Sequence, residues 1–221
     1  MAPSGAHPTS RTPLTRARIL RAAVRLADKQ GIEALSMRKL AHGLGVEAMS
    51  LYNHVGGKDD LLDGMVDLVA SEIEVPVVGA DWKVSMRTRA TSAHEVLLRH
   101  PWATLLILSR VNIGPAMLRY VDATIGCLRE AGFSYALVDH AWNALDNHIY
   151  GFTLQALNFP FEPEEYANAA AQFVSLVPAD THPHLHELTC LVMDGKHDGV
   201  SDFSFGLELI LDGLERLRAK A

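Results

Sequence analysis

The stretch LGVEAMSLYNHVGGKDDLL, Leu44 to Leu62, brings Ser50, Tyr52, Asn53, His54 and Lys58 close together along the chain. The hydroxyl, imidazole and ammonium groups of Tyr52, His54 and Lys58 can donate to phosphate oxygens, contacts that position a protein on a polyanion without reading its sequence. Glu47, Ala48, Met49 and Ser50 stand just before them, where the spacing predicts the first turn of a helix. A helix lying in the major groove presents that turn to base edges. Ser36 and Arg38, at the start of the preceding helical segment, are placed for phosphate, with a base edge in reach. The chemistry on offer is recognition of double-stranded DNA.

Charge is distributed to match. Residues 11 to 58 hold nine Lys/Arg against three acids, a balance of +6, whereas residues 59 to 221 carry −12, for a formal net charge of −6. Such a split suggests a polyanion-binding module joined to a domain with another task, although a solvated basic face gives the same count.

Elements must hold these residues in place. Spacings of three and four recur almost throughout and strict alternation is absent, so the fold class is all-α: a helix-turn-helix DNA-binding domain followed by a larger helical ligand-binding and dimerisation domain. Thr15 is expected to cap a first helix that ends at Gly31, and Ser36 a second that ends at Gly45. A third is expected from Glu47 to Val55, stopped by Gly56 and Gly57, and a fourth from Lys58 toward Glu74. Residues 36 to 55 have the layout of a helix-turn-helix: Ala41 is small at the crossing, Gly45 can take positive φ, and Val46 and Leu51 supply apolar contacts. EVPVVGAD, residues 74 to 81, interrupts the pattern. The expected organisation is an arm over 1–13, a DNA-binding domain over 14–74 and a regulatory domain over 75–221.

In that second part, helices are expected over 81–99, from Pro101, over 115–132, 134–157, 164–177, up to Asp194, and from Asp202 to Arg218. In the last, Phe203, Leu207, Ile210, Leu214 and Leu217 form a heptad seam beside Gly206 and Gly213. The helix over 134–157 has two apolar seams. Both suit a homodimer through 134–157 and 202–218. Trp102, Leu106, Met117, Trp142 and Phe152 are large apolar groups on several helices, with Asn143 and Asn147 on one side of the long one; together they are the expected lining for an apolar or amphipathic small-molecule effector. Taken singly, each is ordinary core.

Other chemistries find little support. THPHLHE, with His182, His184 and His186 near His197, is the strongest metal signal and the basis for an alternative as a metal-binding protein or metal-dependent enzyme. It contains no HExxH and reads as a loop with exposed histidines, so no metal and no cofactor is expected. No Gly-x-Ser-x-Gly, phosphate-cradling glycine loop or Cys-His pair names a catalytic class. Cys127 and Cys190 make no disulfide framework. The longest apolar run is too short for a membrane span, and the first dozen residues lack an apolar signal region, so a cytoplasmic location is expected.

Residues 14 to 74 closely resemble the DNA-binding domain of TetR-family transcriptional repressors, whose G…LSMRKLA..LGV…LYNHV..K..LL pattern runs here without a gap. Beyond residue 80, segments such as GFS at 132 to 134 and GLELILDGLERL at 206 to 217 are similar to the tetracycline-repressor branch. The resemblance implies a four-helix dimer interface from 134–157 and 202–218, operator DNA as partner, and release by an inducer. It implies transmission through the helix from Lys58 to Glu74, taken as the covalent bridge between the domains. Ala48 and Met49 stand where a tetracycline repressor has glutamine and proline, so a different operator is expected. Glu74 falls where those repressors have a drug-holding histidine, which argues against tetracycline and its magnesium.

Overall fold

The computed structural model describes residues 13–161, 165–197 and 202–220. Among them there are helices and turns and no strand. The chain divides into two units: residues up to Pro76 with Glu95–Thr124, and Val77–His94 with the residues from Ile125 onward.

In the first unit, α1 (Arg16–Gln30) begins where Thr15, in extended conformation, accepts the Arg18 amide on its side chain, and it buries Ile19, Ala23, Val24 and Ala27. The sequence from Gly31 to Leu35 turns through a short 3-10 segment over Ile32–Ala34. Ser36 then opens α2 (Met37–Leu44) by accepting from Lys39 N–H. Gly45 closes α2 in the left-handed region (φ 67°, ψ 37°), where a side chain would strain the backbone. The amides of Gly45 and Val46 return to the carbonyls of His42 and Ala41, which satisfies the helix end.

The following helix, α3 (Ala48–Leu51), is a single regular turn, shorter than the spacing predicts. Tyr52 and His54 donate to carbonyls three residues back, so the chain tightens into turns before Val55. α4 (Lys58–Ala70) follows, with Asp59 and Asp60 at the positive end of its dipole and Leu61, Leu62, Met65, Val66, Val69 and Ala70 buried. It crosses α1 closely: a Cβ on Gly64 would lie 2.7 Å from a Leu20 methyl.

The rest of this unit braces α1 and α4. His100 Nδ1 and Trp102 Nε1 both meet Asp28 Oδ1, at 2.8 and 2.7 Å. Trp102 directly precedes α6 (Ala103–Ser109). Arg110 Nε donates to Asp63 at 2.7 Å. Asp67 Oδ1 accepts the amides of Ala116 and Met117, each at 2.9 Å, and so caps the start of α7 (Pro115–Glu130).

In the second unit, the Val77–His94 part of α5 (Trp82–Arg99), α8 (Tyr135–Asn158) and α11 (Phe203–Arg218) provide the core. Ser134 and Asp202 cap α8 and α11 through their side chains. α8 buries Val138, Ala141, Leu145, Ile149 and Thr153. α11 buries Phe203, Leu207, Leu211 and Leu214, so Leu211 replaces Ile210 and Leu217 in the expected seam. A straight helix turns once per 3.6 residues, and a strict 3.5 repeat drifts off its buried face. α9 (Tyr166–Phe173) packs with α10 (Pro183–Met193). Most of THPHLHE is therefore the start of a helix, which corrects the loop reading: Pro183, compatible with a first helical turn, opens it.

Candidate nucleic-acid interface

Around α3 the apolar side chains turn inward and the hydrogen-bonding ones outward. Leu51 and Val55 are buried, while Glu47, Met49, Tyr52, Asn53 and Lys58 are exposed and Ala48, Ser50 and His54 half-buried. Met49 is the most open large side chain of this region, at 74%. Glu47 precedes α3 without spending its carboxylate on the helix end, which leaves an acceptor for a base amino group. Ser36 and Arg38 are exposed on α2. The Ser36 hydroxyl oxygen already accepts from Lys39, and its hydrogen remains a donor for phosphate.

His42, in the last turn of α2, lines a shallow groove with Gly45, Val46, Glu47 and Ser50. Sequence reasoning passed over it because a lone histidine near a helix end carries no signal until the turn brings it beside Ser50. Exposed Asn53 was noticed in the motif but left out of the expected contact set. Conversely, Arg16, one of the nine basic residues behind the +6, is held by Asp60 at 2.6 Å.

The seven expected effector residues fall in both units. In the first, Trp102 and Met117 are buried and Leu106 is half-buried. The Trp102 indole is spent on Asp28. Met117 lines a cleft of about 380 Å³ together with Arg16, Asp63, Asp67, Val111 and Ile113.

In the second unit, Trp142 Nε1 donates to Asp146 Oδ2 at 2.5 Å, and the other oxygen of Asp146 holds Arg89 at 2.5 Å. Arg89 is fully buried, an ion in an apolar interior that sequence reasoning missed. It lies three residues after Met86 and four before Ala93, on the buried stripe of α5, and that register was the available signal. Phe152 packs with His94, His148 and Phe203. Asn143 and Asn147 are exposed on the side of α8 away from its buried stripe, and the Asn143 amide donates to its own helix at the Asp139 carbonyl.

Of the histidines, His182 meets Thr181 and His186 meets the Val177 carbonyl. Among the described residues no group of three or more His, Cys, Asp or Glu is placed to hold a metal ion. Nor is any helix there long and apolar enough to cross a membrane.

The family model of bacterial regulatory proteins, tetR family, matches residues 19–65, and that of the tetracyclin repressor-like C-terminal domain matches residues 75–218. An HTH-type transcriptional regulator of Saccharopolyspora erythraea is 41% identical over 139 residues, which is 62% of this chain and 59% of that protein. The HTH-type transcriptional repressor DrrR1 of Streptomyces coeruleorubidus is 32% identical over 94% of this chain and 79% of its own length. ActR of Streptomyces coelicolor, solved in complex with actinorhodin, superposes with a TM-score of 0.78 at 30% identity, covering 94% of this chain and 99% of that one.

Proposed function

The chain belongs to the tetR family of bacterial regulatory proteins, and from that premise we propose that it is a cytoplasmic, ligand-responsive repressor, a homodimer that binds palindromic operator DNA and leaves it when a small molecule binds. The observation that carries this reading is the face formed by α2, α3 and the turns after it: Ser36, Arg38, Ala48, Met49, Ser50, Tyr52, His54 and Lys58 border one convex reading head whose apolar partners point inward. A first helical turn offered to base edges with donors around it is the arrangement a major-groove reader needs. In this reading residues 14–74 bind DNA and 75–221 bind effector and partner subunit.

The dimer reading draws on α8 and α11. On α11, Gly206, Leu209, Ile210, Gly213 and Leu217 share one flank by helical geometry, and Leu209 and Leu217 are 58% and 52% exposed. Leu137, Ala144, His148 and Gly151 give α8 a corresponding flank, none of it fully buried. Small residues there would let two copies approach closely, and two reading heads related by a two-fold need a palindromic site.

The effector is proposed as an apolar or amphipathic, polyketide-like molecule, supported by the actinorhodin complex of the similar ActR. In the second unit Trp142 and Phe152 would contact it, with the Arg89–Asp146 pair as the polar group behind them. Trp102, Leu106 and Met117 remain the residues proposed in the first unit. Selecting a preferred duplex from random sequences, then screening apolar compounds for release from it, tests the whole reading. Equal binding to random and selected duplexes would overturn it.

A further inference from the structure

Resting on the DNA-binding reading, we infer that Arg16 and Asp60 form a clamp that positions the turn between α3 and α4, and that Arg16 is a positioning residue rather than a phosphate ligand. The guanidinium grips the carboxylate with both prongs, Nη1 to Oδ2 at 2.6 Å and Nη2 to Oδ1 at 2.7 Å. Nη1 also reaches the His54 carbonyl at 3.3 Å, and Asp60 Oδ2 accepts the Gly56 amide at 2.7 Å. The two side chains thus hold the turn by a carbonyl on one side of Val55 and an amide on the other.

This turn has no helical ladder of its own, yet His54 and Lys58, two of the expected phosphate contacts, stand at its ends. Where it sits decides whether those groups reach the backbone of a duplex. The carboxylate completes half of a capping box, since an acid at the third helical position reaches back to an amide before the helix. A bidentate, charge-assisted pair is directional in a way that a lone ammonium is not. Arg16 also lies against α4, because a Cβ on Gly64 would come within 3.2 Å of its Nη2. With 44% and 40% of the two side chains exposed, the pair is screened and adds little to global stability. The Asp60 carboxyl is held below the usual carboxylate range, first by Arg16 and then by the Gly56 amide.

The test measures operator affinity of the full-length protein against salt for wild type, Arg16→Lys, Arg16→Gln, Asp60→Asn and the Arg16→Gln/Asp60→Asn pair. Lys58→Ala serves as the variant that loses a phosphate contact, and a thermal melt accompanies each protein. The clamp predicts about tenfold weaker binding for Asp60→Asn and for Arg16→Gln. The double variant is no weaker than the worse single, since the two act as one unit. Arg16→Lys loses affinity despite keeping its charge. All of these keep the wild-type salt slope, and melting points stay close to wild type. A phosphate ligand predicts the reverse: Asp60→Asn frees Arg16 and tightens binding, Arg16→Lys is tolerated, and Arg16→Gln flattens the slope by about one unit. That outcome overturns the clamp, as does wild-type affinity in every variant. Should Arg16→Gln and Asp60→Asn melt below the assay temperature, the milder Arg16→Lys decides by its affinity and slope. A wild-type protein that prefers no duplex would instead be the failure of the DNA-binding reading itself.

Discussion

Met49 and Lys58 illustrate how two exposed side chains a few residues apart can do different work. Met49 ends in a thioether and methyl on the first turn of α3, suited to apolar contact with a thymine methyl and unable to hold a phosphate. Met49→Ala should therefore cost about 1 kcal/mol at one base pair of each half-site and little elsewhere, read as altered preference in a duplex selection. Lys58 carries a solvated ammonium at the start of α4. Lys58→Ala should weaken all duplexes alike and reduce the slope of log affinity against log salt by about one. A uniform loss for Met49→Ala, or an unchanged slope for Lys58→Ala, would exchange their roles. At this scale the capping residues were legible in the sequence: Thr15, Ser36, Ser134 and Asp202 each accept a hydrogen bond from an amide within the next three residues. Their chemistry is local. Arg16 and Arg89 were not legible, because their carboxylates, Asp60 and Asp146, lie 44 and 57 residues away and only the tertiary fold pairs them.

Among the elements, α11 shows most clearly how one helix serves several neighbours. Its first face is the buried stripe; its second carries Glu208, Asp212 and Glu215, bound to Arg87 and Lys83 of α5; its third is the flank of Gly206, Leu209, Ile210, Gly213 and Leu217. Periodicity revealed that the helix was apolar on more than one side, but a heptad count put Ile210 in the core stripe where Leu211 lies. The same limit shows in α3, where glycine stops mark the end of the segment but not the switch from helix to turns. The third face makes the dimer testable. Leu214, at 5% exposure, is a core residue, so charging it would unfold the unit rather than report on a partner. Leu209→Glu with Leu217→Glu places charges only on open positions and should sediment as a folded monomer; a dimer would show that α11 is not the interface. The second face makes stability depend on acid. Arg87 holds the Glu208 carboxyl, and Lys83 that of Asp212, below the ordinary carboxylate range. Folded-state values depressed in this way contribute stability above the unfolded pKa, and it is lost as pH falls through the folded values. The melting temperature should decline below about pH 4, and less steeply in Arg87→Gln with Lys83→Gln, whose carboxyls have no cation to lose.

At the scale of the whole molecule the function is a coupling. A ligand shifts operator affinity only by as much as it prefers one conformation over another, so effector and operator must weaken each other's binding by the same factor. The chain passes between its two units after Pro76, after His94 and after Thr124, the last two inside α5 and α7. The segment after α4 is therefore not the sole covalent bridge that hydropathy and turn signals implied; a boundary inside a continuous helix leaves no break in the sequence pattern. Trp142 is the side chain by which the coupling is best tested, because its indole is bound to Asp146 and through it to buried Arg89. Replacing it with phenylalanine removes one hydrogen bond and keeps most of the ring, whereas alanine removes both. For an effector that stacks on the ring, Trp142→Ala should abolish release from the selected operator while operator affinity stays within about twofold, and Trp142→Phe should keep most of the release. Titrating effector against free protein and against the operator complex should give affinities that differ by the factor seen in the reverse experiment. Unequal factors would mean that release does not arise from linked equilibria. Parallel loss of operator binding and melting temperature in both variants would make Trp142 part of the core, and its bond to Asp146 a support for Arg89 rather than the edge of an effector site.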